Sequence, residues 1–259
     1  MMPILHTTLP ALPWLDPRLA RLPGVLPVED DDWVLRDEVF ALQMAERDRL
    51  IAANAPVYGM LPQAKAAAAE TYDMVLAKLA QDAGYQIRAK SALRPDGAEV
   101  SLDRDHPLQT LGRLVQEDLC LMVPNGQGEH ILGGAVLCFP ASWTLAEKLG
   151  HPMTRIHTPV PEYDDNIARR VQRLLDAVQP GRPIWRMNHN LYARPDLFHP
   201  RTENAPRVDA TPHYLRAERQ CLLRLPETGA VLFTIHTYVM ALTNLTPDQR
   251  HSLQAAHKP

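Results

Sequence analysis

The spacing of hydrophobic residues predicts helices in the first half of the chain. Apolar side chains recur at helical intervals in segment 34–53. An alanine-rich segment, 64–84, continues this pattern and ends at Gly84, a residue that favours helix termination. A shorter helix is expected within 107–118. The first 32 residues are rich in proline and show no periodicity, which predicts an extended arm.

From residue 119 onward, short apolar runs separated by turn residues predict antiparallel strands. Asn125-Gly126 lies between the first two runs and is a typical hairpin turn. Gly133-Gly134 interrupts the second run, where a β-bulge is expected. The expected strands occupy 119–124, 131–140, 183–193, 215–226 and 230–242, and the last two form the strongest hairpin.

Three further helices are expected among these strands. One covers 142–150, with Ser142 or Thr144 as its N-cap. An amphipathic helix is expected over 164–178, with aspartate at its start and Gly181 after its end. A short C-terminal helix begins at Thr246-Pro247. The whole pattern predicts an α+β fold with an extended arm (1–32), one domain (33–245) and a C-terminal tail (246–259).

Composition narrows the class of protein. The 259 residues are 46% hydrophobic with a formal net charge of −3, which fits one soluble domain and gives no basic excess for nucleic acid. Three separated cysteines indicate a reducing compartment, and no apolar run is long enough to span a membrane. With no signal-peptide pattern at the N-terminus, a cytoplasmic location is expected. The nucleotide-binding glycine motifs are also missing from the sequence.

His157 is the first candidate functional residue. It lies in Ile-His-Thr-Pro-Val-Pro-Glu-Tyr, where Pro159 and Pro161 restrict the backbone. A stiff loop that holds an imidazole suits an axial metal ligand or an acid–base group. The alternative is a structural histidine that caps the loop.

The strand around residue 218 carries the second candidate set. Arg216, Glu218 and Gln220 alternate onto one face of this strand, together with Arg224. An arginine beside a glutamate could hold an anion, or the carboxylate could bind a cationic amine. The alternative is an exposed strand face with ion pairs.

Strand 183–193 adds Arg186 and Asn188 on one face, although hydrogen bonding to loop backbone would also explain them. The remaining histidines show no metal-ligand spacing, so no zinc site is expected; they include His151, His199, His213 and His236.

Four segments in this order resemble the heme-dependent oxidative N-demethylase family. They are FPASWTLAEKLG, IHTPVPEYDD, the Arg-x-Asn of WRMNHN, and LRAERQCLLRLPETGAVLFTIHTY. The resemblance covers roughly residues 30–245. It implies a PAS-like antiparallel sheet with helices packed on one face, an N-terminal helical extension, and heme b between sheet and helices.

The resemblance also implies an activity: oxygen-dependent removal of a methyl group from a small secondary amine such as dimethylamine. In that family a separate reductase subunit with flavin and an iron–sulfur centre supplies the electrons. This chain has no motif for either centre and would be the heme subunit. Two other functions stay open at this point: a heme-based sensor without turnover, and a heme-free protein that binds another small molecule.

The resemblance assigns roles to the candidate residues. His157 would bind the iron, while Arg186, Asn188 and Arg219 would contact the cofactor. The catalytic set would be Arg216, Glu218 and Gln220, with Glu218 pairing with the substrate ammonium and Arg216 or Arg219 polarising oxygen. Because strand side chains alternate, Arg219 and Glu218 cannot both face the heme without a twist or bulge. His189 stands where the family has tryptophan, and is a second candidate ligand.

Overall fold

The computed structural model describes residues 2–20, 24–158, 164–206 and 210–256. The fold is α+β, with a seven-stranded sheet, a three-stranded sheet and seven α-helices in this part of the chain. The helices are α1 (Phe40–Ala52), α2 (Lys65–Leu79), α3 (Pro107–Gly112), α4 (Leu145–Lys148), α5 (Met153–Ile156), α6 (Asp165–Ala177) and α7 (Pro247–Ala256). The strands are β1 (Leu26–Pro27), β2 (Tyr58–Met60), β3 (Gln86–Ile87), β4 (Ser91–Leu93), β5 (Glu99–Ser101), β6 (Asp118–Pro124), β7 (His130–Val136), β8 (Ile184–Tyr192), β9 (Tyr214–Arg224) and β10 (Val231–Ala241).

The large sheet has the order β1-β8-β9-β10-β6-β7-β2, and every neighbouring pair is antiparallel. Its centre is the β9–β10 hairpin, which runs from the pair Arg224–Val231 to the pair Tyr214–Ala241. This confirms the strongest hairpin expected from the sequence. Both faces of the hairpin are largely buried, so each face must be covered by other elements.

The β-bulge expected at the paired glycines is confirmed. Leu121 pairs with Gly134, whereas the next residue, Met122, pairs with Leu132, so Gly133 is the extra residue. A Cβ atom at Gly133 would lie 2.6 Å from Cγ2 of Val123, which is too close for any side chain. Glycine at this position therefore allows β6 and β7 to stay in contact through the bulge.

Helices pack on both faces of the large sheet, and the expectation of helices on one face is wrong. We call the face that bears Glu218 the α6 face, and the opposite face the α1 face. The α1 face is covered by α1, α2 and α3 through residues such as Met44, Ala68, Val75 and Leu108. The α6 face is covered by α4, α5 and α6 through residues such as Leu145, Met153, Ile156, Val171 and Leu175.

Several helices are shorter than predicted, including α3 (Pro107–Gly112, predicted within 107–118) and α4 (Leu145–Lys148, predicted over 142–150). Helix α1 begins at Phe40 and not at residue 34, because a carboxylate oxygen of Asp37 accepts a hydrogen bond from Val39 N (3.1 Å) in a turn before the helix. Helix α2 ends at Leu79, five residues before Gly84. The aspartate expected at the start of α6 is a true N-cap, since Asp164 accepts a hydrogen bond from Ile167 N (2.8 Å).

The N-terminal segment lies against the end of the sheet and the C-terminal helix. His6 N donates to Val239 O (2.7 Å), and Trp14 Nε1 donates to Ser252 Oγ (3.0 Å) in α7. Leu19 is buried beside Met187 and Ala217 on the α1 face. Among the described residues, none of the helices has the length and apolar character that crossing a membrane requires.

Candidate functional site

Four polar side chains from β8 and β9 meet on the α6 face. The strand register places Arg186 opposite Gln220, and Asn188 opposite Glu218. Arg186 Nη1 donates to Gln220 Oε1 (3.0 Å), while Asn188 Nδ2 and Gln220 Nε2 donate to Glu218 Oε2 (3.3 and 3.1 Å). We call these four residues the Glu218 patch. The structure therefore brings together four of the residues that the sequence nominated.

The Glu218 patch is buried and charged, but its hydrogen bonding is incomplete. Glu218 is only 7% exposed. Burial lowers the pKa of Arg186, and the nearby Glu218 carboxylate partly offsets this effect. Within the described part of the chain, the buried Nε of Arg186 has no hydrogen-bond partner. A buried donor without an acceptor is costly, so this atom favours a ligand that carries an oxygen acceptor.

His157 directly follows α5, on the same side of the sheet as the Glu218 patch. Its Nδ1 lies 3.0 Å from Met153 O. Because a carbonyl oxygen only accepts hydrogen bonds, Nδ1 carries the proton and the lone pair of the neutral ring is on Nε2. Burial lowers the pKa of His157, as do the charges of Lys148 and Arg186, which favours the neutral ring that a metal requires. The Pro159–Pro161 part of the stiff loop lies outside the described residues.

The turn before His157 is held in place by an ion pair that the sequence did not suggest. Lys148 Nζ donates to Ile156 O (2.7 Å) and to Glu203 (2.5 Å), and Arg155 binds the same glutamate (3.0 Å). Hydrogen bonds from Arg155 and Lys148 lower the pKa of Glu203 to about 2. Lys148 and Glu203 are 55 residues apart, so no local pattern in the sequence links them.

Arg216 lies on the α6 face but is mainly engaged with the backbone. Its Nη1 donates to Leu197 O (3.0 Å) and its Nη2 to Phe139 O (2.5 Å), and its Nε lies 3.6 Å from Glu218 Oε1. The side chain thus ties two loops to β9 and borders the Glu218 patch. These contacts make Arg216 a group that positions Glu218.

Arg219 and His189 lie on the opposite, α1 face, so the structure does not bring them together with His157. The guanidinium of Arg219 stacks over the ring of Trp185 (5.0 Å) and donates to Cys221 Sγ (3.2 Å). His189 packs against Trp14, with ring centroids 5.1 Å apart. A planar cofactor in contact with His157 cannot also reach side chains on the other side of the sheet.

A second cluster of buried ionisable residues lies on the α1 face, and the sequence analysis did not predict it. It contains His6, Asp37, Glu117 and His236, and we call it the His6–His236 cluster. His236 is separated from Glu117 by 119 residues and from Asp37 by 199 residues, so no motif spacing could reveal it. The only signal in the sequence was a histidine within a predicted buried strand.

A cavity of about 280 Å³ lies away from both groups, where α2 approaches the turn of the β9–β10 hairpin. Trp33, Met74, Lys78 and Leu223 are among the residues that line it. Its lining contains neither histidine nor cysteine, the two most common axial ligands of heme iron.

The α6 face fits heme by the chemistry of its donors. His157 offers a neutral imidazole whose tautomer is fixed by a backbone carbonyl, which is the usual second contact of a metal-binding histidine. The unpaired Nε of Arg186 among the described residues matches a carboxylate group such as a heme propionate. Comparison with known protein families gives a match over residues 24–258 to the model described as haem-dependent oxidative N-demethylase, alpha subunit-like. The chain belongs to this haem-dependent oxidative N-demethylase alpha subunit-like family.

Proposed function

We propose that this protein is the heme subunit of an enzyme that removes a methyl group from a small secondary amine such as dimethylamine. The reaction consumes oxygen, and a separate reductase subunit with flavin and an iron–sulfur centre supplies the electrons. The observation that carries the proposal is the pairing, on one face of the sheet, of a tautomer-fixed His157 with the Glu218 patch. Family membership supports the heme and the oxidative chemistry.

In this proposal heme b binds between the α6 face and helices α4 to α6, as expected of a PAS-like heme domain. His157 would hold the iron through Nε2, and Arg186 would pair with a propionate through the Nε that has no partner in the described structure. Bound heme would supply the oxygen chemistry that oxidises one N-methyl carbon of the amine. That carbon would then leave as formaldehyde.

Glu218 recognises the substrate through charge. A small secondary amine is a cation near neutral pH, and Glu218 is the carboxylate at the centre of the Glu218 patch. The amide donors of Asn188 and Gln220 both approach Glu218 Oε2 (3.3 and 3.1 Å), so Oε1 remains the better acceptor for an ammonium N–H. The neighbouring cations Arg216, whose Nε lies 3.6 Å from Oε1, and Arg186 oppose this attraction, so amine binding is expected to need a propionate that neutralises Arg186.

Arg216 and Gln220 keep that carboxylate in position. Arg216 fixes the start of β9 to two loop carbonyls, while Gln220 links Glu218 to Arg186 through its amide group. This chain of hydrogen bonds connects the proposed amine site to the proposed propionate contact. Substrate binding and cofactor binding are therefore expected to depend on each other.

The test uses the full-length, heme-loaded protein and a Glu218→Gln variant. With an added electron donor, the parent should release formaldehyde from dimethylamine, and the amine should shift the heme absorption band. Glu218→Gln should weaken that shift, whereas Glu99→Gln, which changes an exposed glutamate paired with Arg88, should not. A band shift without formaldehyde would indicate a heme-based sensor, and an absent shift with every small amine would refute the amine site.

A further inference from the structure

The His6–His236 cluster joins the N-terminal segment, the turn before α1 and strand β10. Nε2 of His6 lies 2.7 Å from Asp37 Oδ2, and Nε2 of His236 lies 2.9 Å from the same oxygen. These three atoms all lie within 4.8 Å of one another. His6 and His236 are each 1% exposed, so both rings are removed from water.

The second nitrogen of each ring faces an oxygen. Nδ1 of His236 lies 2.9 Å from Glu117 Oε1, and Nδ1 of His6 lies 3.3 Å from Val239 O. Val239 N donates to Nδ1 of His6 (3.2 Å), so the His6 proton is on Nε2 and faces Asp37. A metal ion on Nε2 of His6 would require this proton to move to Nδ1, where Val239 O can accept it, and the bond from Val239 N would be lost. In a metal-binding histidine, the ring nitrogen that does not bind the metal normally donates a hydrogen bond to an oxygen such as these.

The charges of the cluster are not balanced without a further cation. Asp37 and Glu117 are both carboxylates, while His236 can carry one positive charge between them. Among the described residues, the buried Oε2 of Glu117 has no hydrogen-bond partner. With His6 neutral, the four side chains therefore hold one excess negative charge in a buried place, which is unfavourable.

We propose that His6, Asp37 and His236 form a structural site for a divalent metal ion, with zinc as the best-suited ion. Binding displaces the proton on His236 Nε2 and moves the proton of His6 from Nε2 to Nδ1, so that the ion and two carboxylates sum to zero charge. Two imidazoles and a carboxylate are ligands that zinc prefers. Glu117 then acts as the hydrogen-bond partner of a metal-bound histidine.

To admit the ion, both contacts to Asp37 must lengthen, and the two Nε2 atoms, which lie within 4.8 Å of each other, must come to the separation that tetrahedral coordination requires. Ligand atoms about 2.0–2.2 Å from zinc in a tetrahedron lie about 3.3 Å apart, so each contact to Asp37 must lengthen by about half an ångström. The side chain of Asp37 is 14% exposed, and this open side allows a water molecule to complete the coordination. The site would fasten the N-terminal segment to the sheet, independently of the heme chemistry proposed above.

The direct test is the metal content of the full-length protein after purification without chelator. We expect about one zinc per chain, and a rise in melting temperature when zinc is returned to chelator-treated protein. Cobalt(II) in place of zinc should give the intense visible bands of a tetrahedral nitrogen–oxygen site. Absence of retained zinc, together with an unchanged melting temperature, would overturn the proposal without any variant.

Variants separate this site from weak surface binding. Glu117→Gln should weaken zinc binding about 10–100-fold, because it removes the charge behind a ligand. Asp37→Asn should weaken it more. His106→Gln is the matched control, since His106 is an exposed histidine 2.8 Å from Asp103. Equal zinc affinity in Asp37→Asn, Glu117→Gln and His106→Gln would show adventitious binding and reject the site.

Discussion

The two faces of strands β9 and β10 hold buried ionisable groups in opposite ways. On the α1 face, both ring nitrogens of His236 lie within 2.9 Å of a carboxylate oxygen. On the α6 face, Arg186 leaves a buried nitrogen without an acceptor in the described structure. Burial alone therefore does not mark a binding site for a substrate or cofactor. In the described structure, unused hydrogen-bonding capacity is present on both faces but has opposite character. Oε2 of Glu117 on the α1 face is a buried acceptor, which suits a cation, whereas Nε of Arg186 on the α6 face is a buried donor, which suits an oxygen acceptor.

The largest expected effect is on folding, through His236→Leu. Leucine leaves Asp37 and Glu117 without the cation between them, so the free energy of unfolding should fall by about 3–5 kcal/mol. Urea denaturation measures this loss. In the exposed control, His106→Leu, the change should stay below about 0.5 kcal/mol. A similar small loss in His236→Leu would mean that the His6–His236 cluster does not hold the fold.

The pH dependence of the free energy of unfolding, measured in chelator-treated protein, tests how the charge of His236 stabilises the α1 face. Burial opposes the charge of His236, but hydrogen bonds to Asp37 and Glu117 outweigh it and raise its pKa to about 9. The folded state thus holds a proton that the unfolded chain loses near pH 6.5, the ordinary value for histidine. This contribution is fully present below pH 6.5 and is lost as pH rises through about 9. Unfolding midpoints that stay constant from pH 6 to 9.5 would contradict it.

On the α6 face, Glu218→Gln should weaken amine binding more than it destabilises the fold. Losing a charge-assisted hydrogen bond of about 1.5–3 kcal/mol corresponds to roughly 10–150-fold weaker amine binding. Titration of the heme band with dimethylamine measures the affinity, and urea denaturation should show a loss of about 1–3 kcal/mol, since the carboxylate beside Arg216 is removed but the side-chain volume is kept. If the free energy of unfolding falls sharply while amine affinity stays unchanged, Glu218 stabilises the fold and does not bind the amine.

The smallest effect is expected from Asp164→Ala at the start of α6. Removing the side chain that accepts from Ile167 N should cost about 1 kcal/mol or less, because only one N-cap hydrogen bond is lost. Hydrogen exchange should become faster in the first turn of α6 and remain unchanged in α1. Equal acceleration in both helices would show that the cap stabilises the whole fold and not α6 alone.

Local sequence patterns were sufficient for the five long strands β6 to β10 and for part of the candidate site, whereas the short strands β1 to β5 of the described structure were not predicted. Alternation in β9 correctly separated Glu218 from Arg219, and Gly133 correctly marked a bulge. Both follow from rules that act over a few residues, namely the two-residue repeat of a strand and the space that a side chain needs.

Contacts between distant segments could not be predicted from the same patterns. An amphipathic helix shows that it has an apolar face but not which side of a sheet it covers, so the coverage of both faces was missed. The two loop carbonyls that bind Arg216 carry no side-chain signal at all. His6 comes from a segment without periodicity and Asp37 from a segment predicted to be helical, and only the fold brings them to His236.

The most direct measurement is the absorption spectrum of the protein expressed with heme supply, compared between the parent, His157→Ala and His151→Ala. We expect a Soret band in the parent that is shifted or lost in His157→Ala. The band should be unchanged in His151→Ala, which alters an exposed histidine six residues away. An unaltered band in His157→Ala would place the iron ligand elsewhere, and the absence of a band in all three proteins would contradict a heme site on the α6 face.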